Sequence, residues 1–229
     1  MEFFNKSEQS ILLNARNIIV GFSGGVDSTL ALVATNQFLT AHNKKACLTA
    51  LHVNHQTQSN SDAWHKHCEN FCQTHDINFL SKRVKINKTG QGYEAAARSA
   101  RLKIFDSFDE GSVIVLGHHL DDQVETVFFR VLRGTGLKGL TGMQRYAKTN
   151  DKHFIRPLLH LTKEEIIKYV NDQEISFIED DSNTDNAYSR NFLRNEIIPQ
   201  IMERWPGAKR NTARMANLLT KQSSLYHRF

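Results

Sequence analysis

Sixteen residues, Asn17 to Leu32 (NIIVGFSGGVDSTLAL), constrain this chain more than any other stretch. Asn17–Phe22 is a short apolar, β-branched run. Ser23-Gly24-Gly25 breaks it, and from Val26 the apolar residues Leu30, Val33 and Ala34 recur at helical spacing. The pattern predicts a strand, a tight glycine turn and a helix N-terminus. In that geometry backbone N–H groups converge above the turn, and the helix dipole favours an anion there. Gly24 and Gly25 tolerate positive φ and let a bulky anion approach the main chain. Ser23 and Ser28 add hydroxyl donors. No Lys follows the glycines, so this is not the G-x-x-x-x-G-K-S/T loop that grips β- and γ-phosphates. Asp27 would repel a phosphate unless a divalent cation lies between them. A plain turn with Asp27 as a helix cap is the alternative.

With 229 residues, the chain is long enough for one α/β core and a smaller appendage. Cys47, Cys68 and Cys72 are too few, and oddly numbered, for a disulfide framework. Without a C-x-x-C, the cluster of Cys68 and Cys72 with His65, His67 and His75 reads as helix faces rather than a zinc site. The N-terminus lacks a basic segment followed by an apolar one, and no apolar run reaches membrane-spanning length. A cytoplasmic protein without membrane contact is expected. The net charge of +5 is uneven: residues 186–229 hold eight Lys/Arg against Glu196 and Glu203, leaving the rest close to neutral. One basic end suits a polyanionic partner, and a solvated helix face gives the same count.

Along the chain, a leading helix is predicted over 5–15 and a helix from Val26 to about His42. Strands are predicted at Ala46–Val53, Ile77–Val84, Ser112–Gly117 and Phe154–Leu158, the last stopped by Pro157. Helices are predicted at Ser59–His75, Tyr93–Phe108 and Leu120–Arg133, the last burying Val124, Val127, Phe128, Val131 and Leu132. Gly134–Gly142 reads as a mobile loop near the site, and Lys85–Gly92 and Glu179–Tyr188 as loops. Thr162-Lys163-Glu164-Glu165 is a capping box opening a helix to about Gln173. Helices over Arg190–Arg204 and Ala208–Tyr226 close the chain. Alternating strands and helices imply a Rossmann-like parallel sheet with helices on both faces, followed by a small helical subdomain. The expected division is a core over 1–145, its end over 146–185, and a basic helical subdomain over 186–229.

Three predicted strands end in polar clusters: Ser23–Ser28, His52-Val53-Asn54-His55, and His118-His119-Leu120-Asp121-Asp122-Gln123-Val124-Glu125. In a parallel sheet they meet on one rim. Asp121 and Glu125 are one helical turn apart on a shared face.

SGGVDS resembles the PP-loop of the N-type ATP pyrophosphatases, which split ATP between its α- and β-phosphates. GHHLDDQVET, VLRGTGLKGLTGM, IRPLL, YEAAARSARLKIF and EDDSNTDNAYSRNFLRNEIIP, in that family's own pattern, resemble the tRNA(Ile)-lysidine synthetase family over about residues 17–215. One departure is Gln56-Thr57-Gln58 after His55, where many members carry a Gly-Leu-Arg-like run. Many members also carry further C-terminal domains.

The resemblance implies ATP-dependent ligation of free L-lysine to C2 of the wobble cytidine in a minor isoleucine tRNA with a CAU anticodon. The reaction runs through an adenylated cytidine. It implies ATP contacts at Ser23, Gly24, Gly25, Val26, Asp27, Ser28, His52, Asn54 and His118, and Mg²⁺ at Asp27 with Asp121 or Asp122. Asp27, Asp121, Asp122 and Glu125 would be catalytic, with Glu125 and a metal-free Asp receiving the lysine. Arg133, Lys138, Arg190, Asn191 and Arg194, with Arg145 beside the glycine loop, are expected to meet tRNA or substrate. The competing expectations are another PP-loop tRNA-modifying enzyme, such as a thiolase, and an inactive RNA-binding protein of this fold.

Overall fold

A computed structural model describes residues 1–54, 61–84, 93–179 and 189–226. His55, the Gln56-Thr57-Gln58 departure, the Lys85–Gly92 loop and nearly all of the Glu179–Tyr188 loop lie outside them. Strands β1 (Ile18–Gly21), β2 (Leu48–Asn54), β3 (Asn78–Arg83), β4 (Val113–Val115), β5 (Tyr146–Thr149) and β6 (Lys152–Ile155) form one sheet in the order β3-β2-β1-β4-β6-β5. All neighbours pair in parallel except β5 with β6.

The central strands read as unbroken apolar runs because both faces are covered. Their residues alternate between two cores, as a two-residue side-chain period requires. Ile18, Val20, Val113 and Val115 join the larger core, where α2 (Val26–Ala41) and α7 (Lys163–Asp172) contribute Leu30 and Ile166. Ile19, Leu51 and Ile114 point the other way, toward Phe105 of α4 (Tyr93–Asp106). Fully burying each such aliphatic side chain contributes about 1.5–3 kcal/mol.

Chain order leaves β1 toward β2 on one side and returns to β4 on the other. The carboxyl ends of β1 and β4 are therefore the topological switch point, where ligands of open α/β sheets bind. There β1 runs into Ser23–Gly25 and α2, and β4 runs into Gly117–His119 and α5 (Leu120–Leu132).

Four expectations change. The last strand is Lys152–Ile155, not Phe154–Leu158, because it belongs to a hairpin with the unforeseen β5. Asn150 and Asp151 at its tip have φ of 47° and 57°, the signature of a two-residue turn with both central residues left-handed. Gly134–Gly142 is not a free loop. It contains a one-turn helix, α6 (Leu137–Leu140), and Arg130 Nη1 donates to the Gly139 and Gly142 carbonyls at 2.9 and 3.0 Å. Val131 and Leu132 are exposed, at 51% and 70%, because α5 outruns the core it packs on. The helix over Arg190–Arg204 is interrupted: α8 (Ser189–Phe192) passes through a wider π turn at Leu193–Ile197 into α9 (Ile198–Arg204). Pro199 has no N–H to offer the Asn195 carbonyl and crowds it, which favours that widening.

The remaining helices are α1 (Lys6–Asn14), α3 (Ser61–Thr74) and α10 (Ala208–Tyr226), and α10 packs along α5 and α6. None of the helices among the described residues is long and apolar enough to cross a membrane.

Candidate active site

The phosphate-loop geometry predicted at Ser23–Ser28 is present, with a brace the sequence reading did not foresee. Gly24 has φ of 87°, and a Cβ there would lie 3.0 Å from both Cys68 Sγ and Ile178 Cδ1. Only glycine fits both conditions. Ser28 Oγ accepts from the Ser23 N–H (3.1 Å) and donates to the Gly25 carbonyl (2.9 Å). Its hydroxyl therefore holds the turn from inside, while Ser23 Oγ lies 3.1 Å from Ser28 Oγ at the outer edge. Gly117, at the end of β4, has a related role. A Cβ there would sit 2.7 Å from the Asp27 carbonyl oxygen, so its absence lets the two strand ends close on one another.

His119 stands at the centre of that closure. Its Nε2 is 3.8 Å from Asp27 Oδ1 and 3.5 Å from Asp122 Oδ2, and its Nδ1 is 3.4 Å from Asp121 Oδ2. Residues about a hundred positions apart thus converge as expected. Burial alone would strip charge from the imidazole. The carboxylates of Asp121, Asp122 and Asp27 outweigh it and hold the ring above its ordinary value. The His119 N–H also donates to Asp122 Oδ2 at 3.0 Å, so Asp122 caps α5 as well as facing the cluster.

Each acid meets a cation from the C-terminal half of the chain. Lys163 Nζ lies 2.9 and 2.7 Å from the two Asp27 oxygens, and the Lys163 N–H donates to Asp121 Oδ2 at 2.8 Å. Lys209 Nζ reaches Asp121 Oδ1 (2.5 Å) and Glu164 Oε1 (3.3 Å). Arg194, presented by the π turn, grips Glu125 through Nε (2.6 Å) and Nη2 (2.9 Å) and approaches Asp122 at 3.5 Å. Against burial, the bonds from His119, Lys209 and the Lys163 backbone hold Asp121 well below the usual carboxylate range. Glu125, only 2% exposed, goes the other way: burial raises its pKa despite Arg194.

Lys163 is the functional candidate that the sequence reading missed. It registers there only as the residue after a capping Thr, and Thr162 and Glu165 do form that box. The signal was the missing Lys of the glycine loop. A turn that lacks its own cation borrows one from α7, 136 residues away.

The other predicted positions divide. His52 is buried at the end of β2 with Nδ1 3.1 Å from the Phe22 carbonyl, and burial lowers its pKa. It braces the strand that feeds the turn. Asn54 is buried at the same strand end, and His118 follows β4 directly before the cluster. Val26 is buried in the core as the first residue of α2. Arg133 and Arg190 lie over the Phe129 ring, and Lys138 is exposed on α6. Asn191 lies on α8, and Arg145 turns inward to pair with buried Glu8 at 2.6 Å. Cys68 and Cys72 sit in the core, their thiols pushed up to about 12 by burial.

For Mg²⁺, the donor chemistry fits: carboxylates of Asp27, Asp121 and Asp122 are hard oxygen ligands, and Mg²⁺ commonly needs only one or two beside phosphate oxygens and water. Among the described residues no group of three or more His, Cys, Asp or Glu is arranged to hold a metal by itself. The set suits an ion that arrives with a phosphate.

The PP-loop domain profile matches residues 2–201. The chain belongs to the PP-loop domain family. It is 41% identical over 215 residues to tRNA(Ile)-lysidine synthase of Escherichia coli O157:H7, covering 93% of this chain and 50% of that protein. The enzyme of the same name from Legionella pneumophila (strain Lens) is 40% identical over 202 residues, covering 88% and 46%. The chain spans about half the length of the curated relatives it matches. Among solved structures, the U34-tRNA thiolase of Methanococcus maripaludis with its 4Fe-4S cluster superposes with a TM-score of 0.69 at 17% identity. The match covers 94% of this chain and 78% of that one. At that identity it speaks for the PP-loop fold alone.

Proposed function

We propose that this PP-loop chain is the catalytic part of a lysidine-forming ligase. It would use ATP to adenylate the C2 oxygen of the wobble cytidine in a CAU-anticodon isoleucine tRNA, releasing pyrophosphate. The amine of free L-lysine then displaces AMP from C2. The relatives' shared name supports this reading. The structural observation that carries it is the meeting of the Ser23–Ser28 turn with Asp27, Asp121 and Asp122 around His119, with Lys163 across the gap.

In this reading the turn and the start of α2 receive the ATP phosphates. Asp27 with Asp121 or Asp122 would hold Mg²⁺, which supplies neutralising charge for the pyrophosphate leaving group. Lys163 leaves Asp27 for the phosphates and stabilises the charge that grows on the leaving oxygen. His119, kept toward its protonated form, adds a further donor to that space. The lysine amine must lose a proton to attack, and Glu125 is suited to take it because burial raises its basicity. Asp122 and Glu125 give the incoming ammonium its counter-charge when Arg194 yields.

A thiolase reading finds less support, since Cys68 and Cys72 are buried thiols in the core. The test is pyrophosphate release from ATP with and without CAU-anticodon tRNA and lysine. Release that requires RNA, followed by lysine attached to that RNA, is expected. Release needing neither, or RNA without attached lysine, would refute the reading.

A further inference from the structure

Whether a glycine turn attracts or repels a phosphate depends on which way its freest peptide faces. That peptide joins Gly24 to Gly25, where neither residue has a Cβ to restrain rotation about the adjoining bonds. It is trans, so its carbonyl and its N–H point to opposite sides. With the N–H outward it offers a phosphate a donor, and with the carbonyl outward it would offer an acceptor. In the structure the Gly24 carbonyl is tied back twice. The Ile178 N–H donates to it at 2.8 Å and the Thr29 hydroxyl at 3.2 Å. Gly24 is buried, whereas Ser23 is exposed and Gly25 half-buried. The tied carbonyl therefore lies on the core side of the turn and the Gly25 N–H on the open side. Thr29 is fully buried, and its bond is not the usual one for a threonine in a helix. Thr35, further along α2 and equally buried, bonds the Ala31 carbonyl one turn back at 2.7 Å. Thr29 instead reaches past the start of α2 into the turn, and its own N–H donates to the Gly25 carbonyl at 3.0 Å.

We propose that Thr29 and the main chain of Ile178 are positioning groups that hold the Gly24–Gly25 peptide with its N–H toward the phosphates of bound ATP. Both act through that peptide rather than on the nucleotide. Ile178 comes from the segment after α7 and bridges to Gly25. Helix α7 thus serves the turn at both ends, with Lys163 on Asp27 at its start and this strap beyond its end. Removing the Thr29 hydroxyl leaves the carbonyl one tie. The peptide then spends part of its time with the carbonyl outward, and apparent affinity for phosphate falls with the fraction still facing correctly. Thr29 lies one residue beyond SGGVDS, so the motif itself does not single it out. The inference deepens the proposed use of ATP at this turn and rests on it, and it is independent of RNA and lysine.

The test titrates the full chain with ATP or inorganic pyrophosphate, each with Mg²⁺, by calorimetry, and records urea midpoints alongside. Thr29→Val removes the hydroxyl and keeps the volume, and Thr35→Val does the same to the ordinary bond in the same helix. Thr29→Val should weaken both ligands about three- to tenfold, and Thr29→Ser should restore them. Thr35→Val should leave both affinities unchanged, although each valine variant lowers the urea midpoint. Wild-type affinity in Thr29→Val, or an equal loss in Thr35→Val, would overturn the proposal. A second measurement needs no variant. With isotope-labelled glycine, the Gly25 amide resonance of the wild-type chain should shift when Mg²⁺ and pyrophosphate are added, and an unmoved signal would also overturn the proposal. A chain that meets both expectations but attaches no lysine to RNA would refute the ligase reading and uphold the role of Thr29.

Discussion

The first turns of α5 and its last turns face opposite electrostatic tasks. At the start, Asp121, Asp122 and Glu125 are met by Lys209, Arg194 and the central His119, so a negative cluster is balanced from within. At the end, Arg133 and Arg190 lie over the Phe129 ring. Helix polarity favours this order, with acids near the N-terminus and cations near the C-terminus. The balanced end can exchange its internal cations for an incoming ammonium or a phosphate-borne metal. The other end lays its cations over an aromatic ring. One helix thus separates the acids of the candidate site from the arginines over Phe129.

The sharpest way to break this separation is Asp27→Asn. Pyrophosphate release should fall at least a hundredfold, in the range of about 10²–10³ for a lost transition-state contact. Filter binding of tRNA should stay nearly unchanged. Equal loss of both would make Asp27 a structural residue and dissolve the distinction. Lys163→Met should lower kcat for pyrophosphate release by about ten- to a hundredfold, with partial rescue in Lys163→Arg. A raised KM for ATP at unchanged kcat would confine Lys163 to ground-state binding.

Arg194→Ala tests the balancing itself, because it leaves Glu125 buried without its guanidinium. Removing one partner of a buried pair costs about 3–5 kcal/mol. Arg194 is 38% exposed, so about 2 kcal/mol of lost stability is expected after allowing for solvent screening. Urea denaturation should also show part of that loss recovered when Glu125→Gln is added. No recovery would mean that the arginine acts through packing alone. The smallest effect is expected for Gly24→Ala, about 1 kcal/mol from the left-handed backbone. Adding Cys68→Ala should leave that backbone part in place, as thermal melts of the single and double variants would show.

What the sequence made legible follows the range of the interactions. Strand β1, the glycine turn and α2 are written in adjacent residues, as are α5 and the acids at its start. Their meeting on one rim followed from the parallel topology alone. Hidden from the sequence were contacts between residues far apart: Lys163 on Asp27, Lys209 on Asp121 and Arg194 on Glu125. The basic C-terminal segment looked like a surface for a partner. Yet Arg194 and Lys209 from it neutralise the site's own acids, while Arg190 lies over the Phe129 ring. Hairpin β5–β6 escaped because Asn150-Asp151 lacks the glycine that usually marks such a turn. The exposed Val131 and Leu132 escaped because helical periodicity shows which face is apolar, not where the core beneath it stops.

The central claim is that these converged acids and cations drive ligation on RNA. Its most direct test is mass spectrometry of CAU-anticodon isoleucine tRNA after incubation with this chain, ATP, Mg²⁺ and lysine. The wobble cytidine should gain one lysine with loss of water, and AMP and pyrophosphate should form in step with it. An unmodified cytidine, in a reaction where the chain binds the tRNA and consumes ATP, would contradict the account.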